Sequence, residues 1–183
     1  HNDVSQFCIN HALIFFFENV HGFFYKPHKP ALDYFEKAAI LGFSEAIEAA
    51  GVMYHLGHGT QVSHSKAIKY LAQTSTQGFA VSSYYLGEIF LTAEKQVRDI
   101  NKAIKYFTIS SEQGDIDAPY DLGEIYRTDE FVPTNIEKAI YWHSKSVALN
   151  NTNSLPILAS IYWTASNDET RDPDQAIKLL TQY

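Results

Sequence analysis

Apolar and polar positions in this chain alternate at helical spacing. Between residues 101 and 114, Ala103, Ile104, Phe107 and Ser111 fall one, three and four apart, the stripe an amphipathic helix turns toward a core. Ala67, Ile68, Leu71 and Ser75 repeat that stripe earlier in the chain. Stop signals follow each stripe. Gly42, Gly78 and Gly114 stand where a helix commonly ends in a left-handed residue, and Asn150 is the usual substitute. Start signals are Thr134, three before Glu137 as in a capping box, and Asp172 before Pro173. A second helix is predicted after each stop, over residues 44–56, 81–92, 116–128 and 153–164.

These elements recur with a period of about 36 residues, expected only of a stack of similar units. Ala31, Ala67, Ala103 and Ala139 share one phase, with Ala176 arriving one residue late. Gly51, Gly87 and Gly123, followed by Ala159, share a second, and Tyr54, Phe90, Tyr126 and Tyr162 a third. A glycine inside a helix costs about 1 kcal/mol relative to alanine. Its return at one phase predicts a neighbouring helix too close to admit a Cβ. The intervening loops are short and polar, which predicts antiparallel helix pairs.

Read from the glycine, the unit runs Leu122-Gly123-Glu124-Ile125-Tyr126, a loop, Lys138-Ala139-Ile140-Tyr141-Trp142, with a parallel copy at Leu86-Gly87-Glu88-Ile89-Phe90 and Lys102-Ala103-Ile104-Lys105-Tyr106. This closely resembles the Sel-one-like repeat family, a branch of the tetratricopeptide superfamily. The resemblance divides residues 44–183 into repeats 44–79, 80–115, 116–151 and a truncated 152–183, with residues 1–43 a degenerate N-terminal repeat or cap. It implies an all-α, right-handed α-solenoid of antiparallel helix pairs whose inner face binds other proteins, with no catalytic residues. Each pair cannot bury its apolar face alone and relies on its neighbours. Only Cys8 is present, so the roles of the family's disulfide-linked subgroup do not transfer.

Composition narrows the partner. The chain has 183 residues, 45% hydrophobic, and a formal charge of −7. That deficit of Lys and Arg disfavours nucleic acid and anionic lipid. No run approaches the roughly 20 apolar residues of a bilayer span, so a soluble protein without membrane insertion is expected, cytoplasmic or exported. The first residue is His1, not Met, so any signal peptide would be out of view.

In repeats of this kind the Leu-Gly helix lines the concave side. The positions three before and one, four and five after the glycine then face a partner: Glu48, Val52, His55 and Leu56; Tyr84, Glu88, Leu91 and Thr92; Tyr120, Glu124, Arg127 and Thr128; Pro156, Ser160, Trp163 and Thr164. The pairs Tyr84/Glu88 and Tyr120/Glu124 predict an aromatic and acidic ladder for a basic or amphipathic segment of a partner protein. The bland alternative is a solvated helix face. The functional expectation is an adaptor or scaffold, with a regulatory or accessory subunit of a bound enzyme as the alternative.

Chemistry of its own is weakly signalled. His55, His58 and His64 invite a metal reading, yet no thiol or carboxylate stands beside them at ligand spacing, so no metal or cofactor is expected. A metal-dependent hydrolase is the third class, testable by elemental analysis. Cys8 with His11 lacks an orienting third group. Residues 13–17 with Phe23, Phe24 and Tyr25 are expected to cap the first repeat. Ile177, Leu179 and Leu180 would lie on a final helix without a following repeat, a surface for self-association or for further chain.

Overall fold

The computed structural model describes residues 29–164 and 170–181. Their regular elements are all α-helices: α1 (Lys29–Ile40), α2 (Ser44–Leu56), α3 (His64–Ser75), α4 (Ala80–Thr92), α5 (Ile100–Glu112), α6 (Ala118–Arg127), α7 (Ile136–Ala148), α8 (Ser154–Thr164) and α9 (Pro173–Thr181). They fall into two compact units, one ending at Asp99 and the other beginning at Ile100. In the first unit α1 packs on α2, α2 on α3 and α3 on α4, and α2 also meets α4. In the second, α5 to α9 likewise pack in chain order.

The stripes predicted from spacing form the buried faces. Ala67 and Leu71 in α3, and Ala103 and Phe107 in α5, are fully buried, with Ser75 and Ser111 beside them. Ile68 and Ile104, on the edge of the stripe, are only partly covered. Four of these helices end alike. Gly42, Gly78, Gly114 and Asn150 adopt φ of 88°, 94°, 97° and 66°. In each case that residue's N–H and the next N–H turn back onto carbonyls of the last helical turn, as in Gly42 to Ala39 (2.9 Å) and Phe43 to Ala38 (3.3 Å). This double closure needs a left-handed residue, which explains the glycine phase and its replacement by asparagine.

A second device sets the loop lengths. The carbonyls of Tyr54, Phe90, Tyr126 and Tyr162 accept from the N–H of Ser63, Asp99, Asn135 and Asp172, at 2.8–2.9 Å. The last of these loops holds one more residue than the others, which is why Ala176 arrives late. The start of α7 differs from expectation. Its cap is Asn135, whose side chain accepts from the Lys138 N–H at 2.9 Å, rather than Thr134. Asp172 does cap α9, accepting from the Gln175 N–H at 2.9 Å. Helix α6 starts at Ala118 rather than 116, because the Asp115 carboxylate takes the N–H groups of Asp117 and Ala118 in a local turn.

Two of the mid-helix glycines, Gly51 and Gly123, mark close approaches. A Cβ on Gly51 would lie 2.7 Å from Leu71 Cγ, and one on Gly123 would lie 2.6 Å from the His143 ring. Leu179 is not left uncovered as expected: it packs with Leu155, Leu158, Ala159 and Ala176, while Ile177 and Leu180 remain exposed. No described helix is long and apolar enough to cross a membrane. Cys8, His11, residues 13–17 and 23–25, and the loop at 167–169 lie outside the described residues.

Candidate functional site

In the first unit, α2 and α4 bring two expected face residues, His55 and Glu88, into contact and engage others with their neighbours. The Glu48 carboxylate accepts from Ser82 Oγ at 2.8 Å, and burial pushes its pKa above the ordinary carboxylate value. His55 Nε2 lies 3.2 Å from Glu88 Oε2, and its ring sits 5.4 Å from Tyr85 and 5.8 Å from His64. His64 Nδ1 in turn lies 2.9 Å from Glu94, whose pKa that bond lowers. Tyr84, half-buried, meets Tyr85 edge-on, and Leu91 is half-buried at the end of the same helix.

In the second unit a polar chain crosses three helices. His143 of α7 is 0% exposed and sits where Phe35, Leu71 and Phe107 stand in the other repeats. Its Nδ1 lies 3.0 Å from Ser154 Oγ of α8, and its Nε2 lies 3.3 Å from Glu124 Oε1 of α6. The latter approach falls short of hydrogen-bond geometry and acts as an electrostatic contact. A hydrogen on Nε2 suits the facing carboxylate, leaving Nδ1 to accept from the Ser154 hydroxyl. Arg127 grips the same carboxylate twice, Nε to Oε1 at 2.8 Å and Nη2 to Oε2 at 2.6 Å. That grip holds the Glu124 pKa down and raises that of Arg127. Burial holds the His143 imidazole below its ordinary value, against the pull of Glu124. Tyr120 closes the group, its ring edge-on to His143 at 5.7 Å, and burial raises its pKa.

Arg127 also lines a hollow of about 500 Å³ with Ile136 of α7 and Pro156, Ile157, Ser160, Ile161 and Thr164 of α8. Four of those seven residues are face positions named from the glycine phase: Arg127, Pro156, Ser160 and Thr164. Trp163, 56% exposed, stands three residues from Ser160 on the same helix. The signature of the Sel1 repeat matches residues 25–43, 44–79, 80–115, 116–151 and 158–182. The chain belongs to the Sel1 repeat family. Its fold is similar to that of a protective antigen present in uropathogenic Escherichia coli strains, with TM-score 0.74, 25% identity, and coverage of 84% of this chain and 33% of that one. A Sel1 repeat protein from Oxalobacter formigenes is also similar, with TM-score 0.68, 23% identity, and coverage of 84% and 63%. The chain thus spans a third of the first relative and under two thirds of the second. No curated protein sequence matches it. Sel1 repeat proteins generally bind other proteins and are typically not enzymes.

In this Sel1 repeat chain the acidic ladder read from spacing is not a row of free charges. Glu88 faces His55, and Glu124 is held by Arg127, so both carboxylates are engaged within the protein. Spacing also missed Ile136, Ile157 and Ile161 in the hollow, and it missed His143. The last had a visible signal, a titratable residue at a phase otherwise filled by Phe or Leu. Ser154, His143 and Glu124 follow one another as hydroxyl, imidazole and carboxylate, but the hydroxyl is 0% exposed and out of reach of a substrate. Among the described residues no three His, Cys, Asp or Glu converge as a metal site, although His55 and His64 do come together.

Proposed function

We propose that this Sel1 repeat chain is a protein-interaction module, an adaptor or scaffold without catalytic chemistry, metal or cofactor of its own, that holds an amphipathic segment of a partner protein. The observation that carries this reading is the hollow in the second unit. Its walls combine isoleucine and proline surfaces with one guanidinium and two hydroxyl-bearing residues, a lining suited to apolar side chains on a polar backbone. Partner contact in the first unit falls to Glu48, His55, Tyr84, Glu88 and Leu91, a mixed aromatic and carboxylate surface that accepts basic groups at its half-exposed carboxylates. In the second unit partner contact falls to Tyr120, Glu124, Arg127 and Trp163, where the Glu124 carboxylate is spent on orienting Arg127 rather than on a basic group of the partner.

The test is site-directed photocrosslinking with benzoyl-phenylalanine placed at Ser160, against the same group at the exposed Lys69 of α3. The expected result is a defined partner segment captured from position 160 alone, and lost when Ile157 is replaced by Asp in the crosslinking chain. Capture of the same segments from both positions would overturn the reading.

A further inference from the structure

We propose that the hollow recognises an acidic side chain flanked by apolar residues in the partner segment, received by the outward edge of the Arg127 guanidinium, and that His143 takes up a proton as it binds. This rests on the reading of the hollow as a partner site and names the chemistry it selects. Arg127 uses Nε and one N–H of Nη2 on Glu124, and its other N–H groups make no hydrogen bond among the described residues. Guanidinium geometry leaves one further bidentate edge, the two terminal nitrogens, for a second carboxylate. Glu124 orients the group in advance, so little side-chain freedom is lost on binding. Among the described residues that line the hollow Arg127 is the sole charged one, so these walls match an anionic group set among apolar ones.

A second carboxylate on one guanidinium leaves the cluster with an excess negative charge. The group placed to cancel it is His143, 3.3 Å from the Glu124 oxygen that Arg127 Nε also holds. Among the described residues the charged and titratable groups facing its ring come from α6, namely Tyr120, Glu124 and Arg127; α8 presents the neutral Ser154. With no ligand, burial opposes protonation against the pull of Glu124, and the Arg127 charge opposes it too. An incoming carboxylate offsets the guanidinium, and the imidazole then gains a proton on Nδ1, donating to Ser154 Oγ while Nε2–H faces Glu124. Binding and protonation are linked, so each strengthens the other by the same factor.

The experiment uses the full chain and three synthetic peptides: acetyl-Leu-Ala-Glu-Ile-Leu-amide, its Gln counterpart, and the Gln peptide with a free C-terminal carboxylate. Amide and imidazole NMR signals are followed between pH 7.5 and 5.5, where the glutamate stays ionised. The Glu peptide is expected to shift the signals of Ile136, Ile157 and Ile161, to bind about tenfold more tightly at the lower pH, and to raise the pH at which His143 titrates. The Gln amide should do none of this at comparable concentration. His143→Leu should abolish the pH dependence, and Arg127→Gln the preference for Glu, in variants whose melting shows them folded. Equal binding of Glu and Gln peptides, binding independent of pH, or no binding of the Glu peptide would overturn the inference. A preference for the free C-terminus would also overturn it, by assigning the edge to a chain end. In every one of these cases crosslinks from Ser160 to a partner segment would still stand for the broader reading, which fails only with them.

Discussion

Replacing His143 by Leu isolates the energetic role of the buried imidazole. The site is known to accept an apolar side chain, since Phe35, Leu71 and Phe107 occupy it in other repeats, and Leu and His are close in volume. At pH 7.5 the variant loses the Ser154 bond and leaves a hydroxyl 0% exposed without that partner, costing about 1–3 kcal/mol. Burying the leucine side chain contributes about 1.5–3 kcal/mol. The two nearly cancel, and the variant should lie within about 2 kcal/mol of the parent by those figures.

The pH dependence does not cancel. Burial holds the folded imidazole below its free value of about 6.5, so the unfolded chain binds a proton that the folded chain refuses. The contribution is therefore full above that value and is lost as pH falls through it. Between pH 7.5 and 5.5 the parent should lose up to about 1.4 kcal/mol through this one residue. Every other residue is common to both proteins and drops out of the difference. Glu124, held low by Arg127, gives up its contribution only at more acid pH, outside the window. Urea denaturation of both proteins at pH 7.5, 6.5 and 5.5 reads the effect as a gap that moves in favour of the variant as pH falls. Parallel curves across the three values would refute the reasoning, because they would mean the imidazole titrates alike in both states.

Four further outcomes follow from the backbone and its close contacts. Gly123→Ala, which would gain helix propensity in open space, should instead destabilise by about 1–3 kcal/mol because its Cβ meets the His143 ring, and a raised urea midpoint would contradict this. Asn150→Ala should cost about 1–2 kcal/mol through the left-handed backbone at φ 66°, while Asn150→Gly should not, as thermal melts would show. Asn135→Ala should cost about 0.5–2 kcal/mol and Thr134→Ala far less, a comparison of midpoints that distinguishes the observed cap from the capping box expected from spacing. Deleting the exposed Arg171 would bring the last loop to the length with which the other three close, so the Tyr162 to Asp172 bond should persist, and faster amide exchange at Asp172 would contradict this.

Those predictions divide along what one-dimensional spacing can and cannot carry. Helix phase, the left-handed stops and the close approaches at Gly51 and Gly123 were legible, because each depends on a residue type returning at one position in a repeated local geometry. The late Ala176 was legible too, and the loop bond from Tyr162 to Asp172 gives it a cause. The electrostatics were not, since the sign of a face depends on pairings across helices. Glu88 finds His55 from a different helix, 33 residues away, and nothing in either helix alone announces it. Arg127, three residues after Glu124, is the exception: same-face neighbours of opposite charge at that spacing attract, so this pairing is visible within one helix. The hollow shows the deeper limit. Ile136, Ile157 and Ile161 carry apolar side chains whose phase reads as packing, and only the gap left between the helices turns part of that packing surface into the wall of a hollow. A repeat thus encodes its scaffold by the residues that recur and its specificity by those that break the recurrence. His143 breaks it at a core position from which a titratable ring reaches the hollow through Glu124 and Arg127.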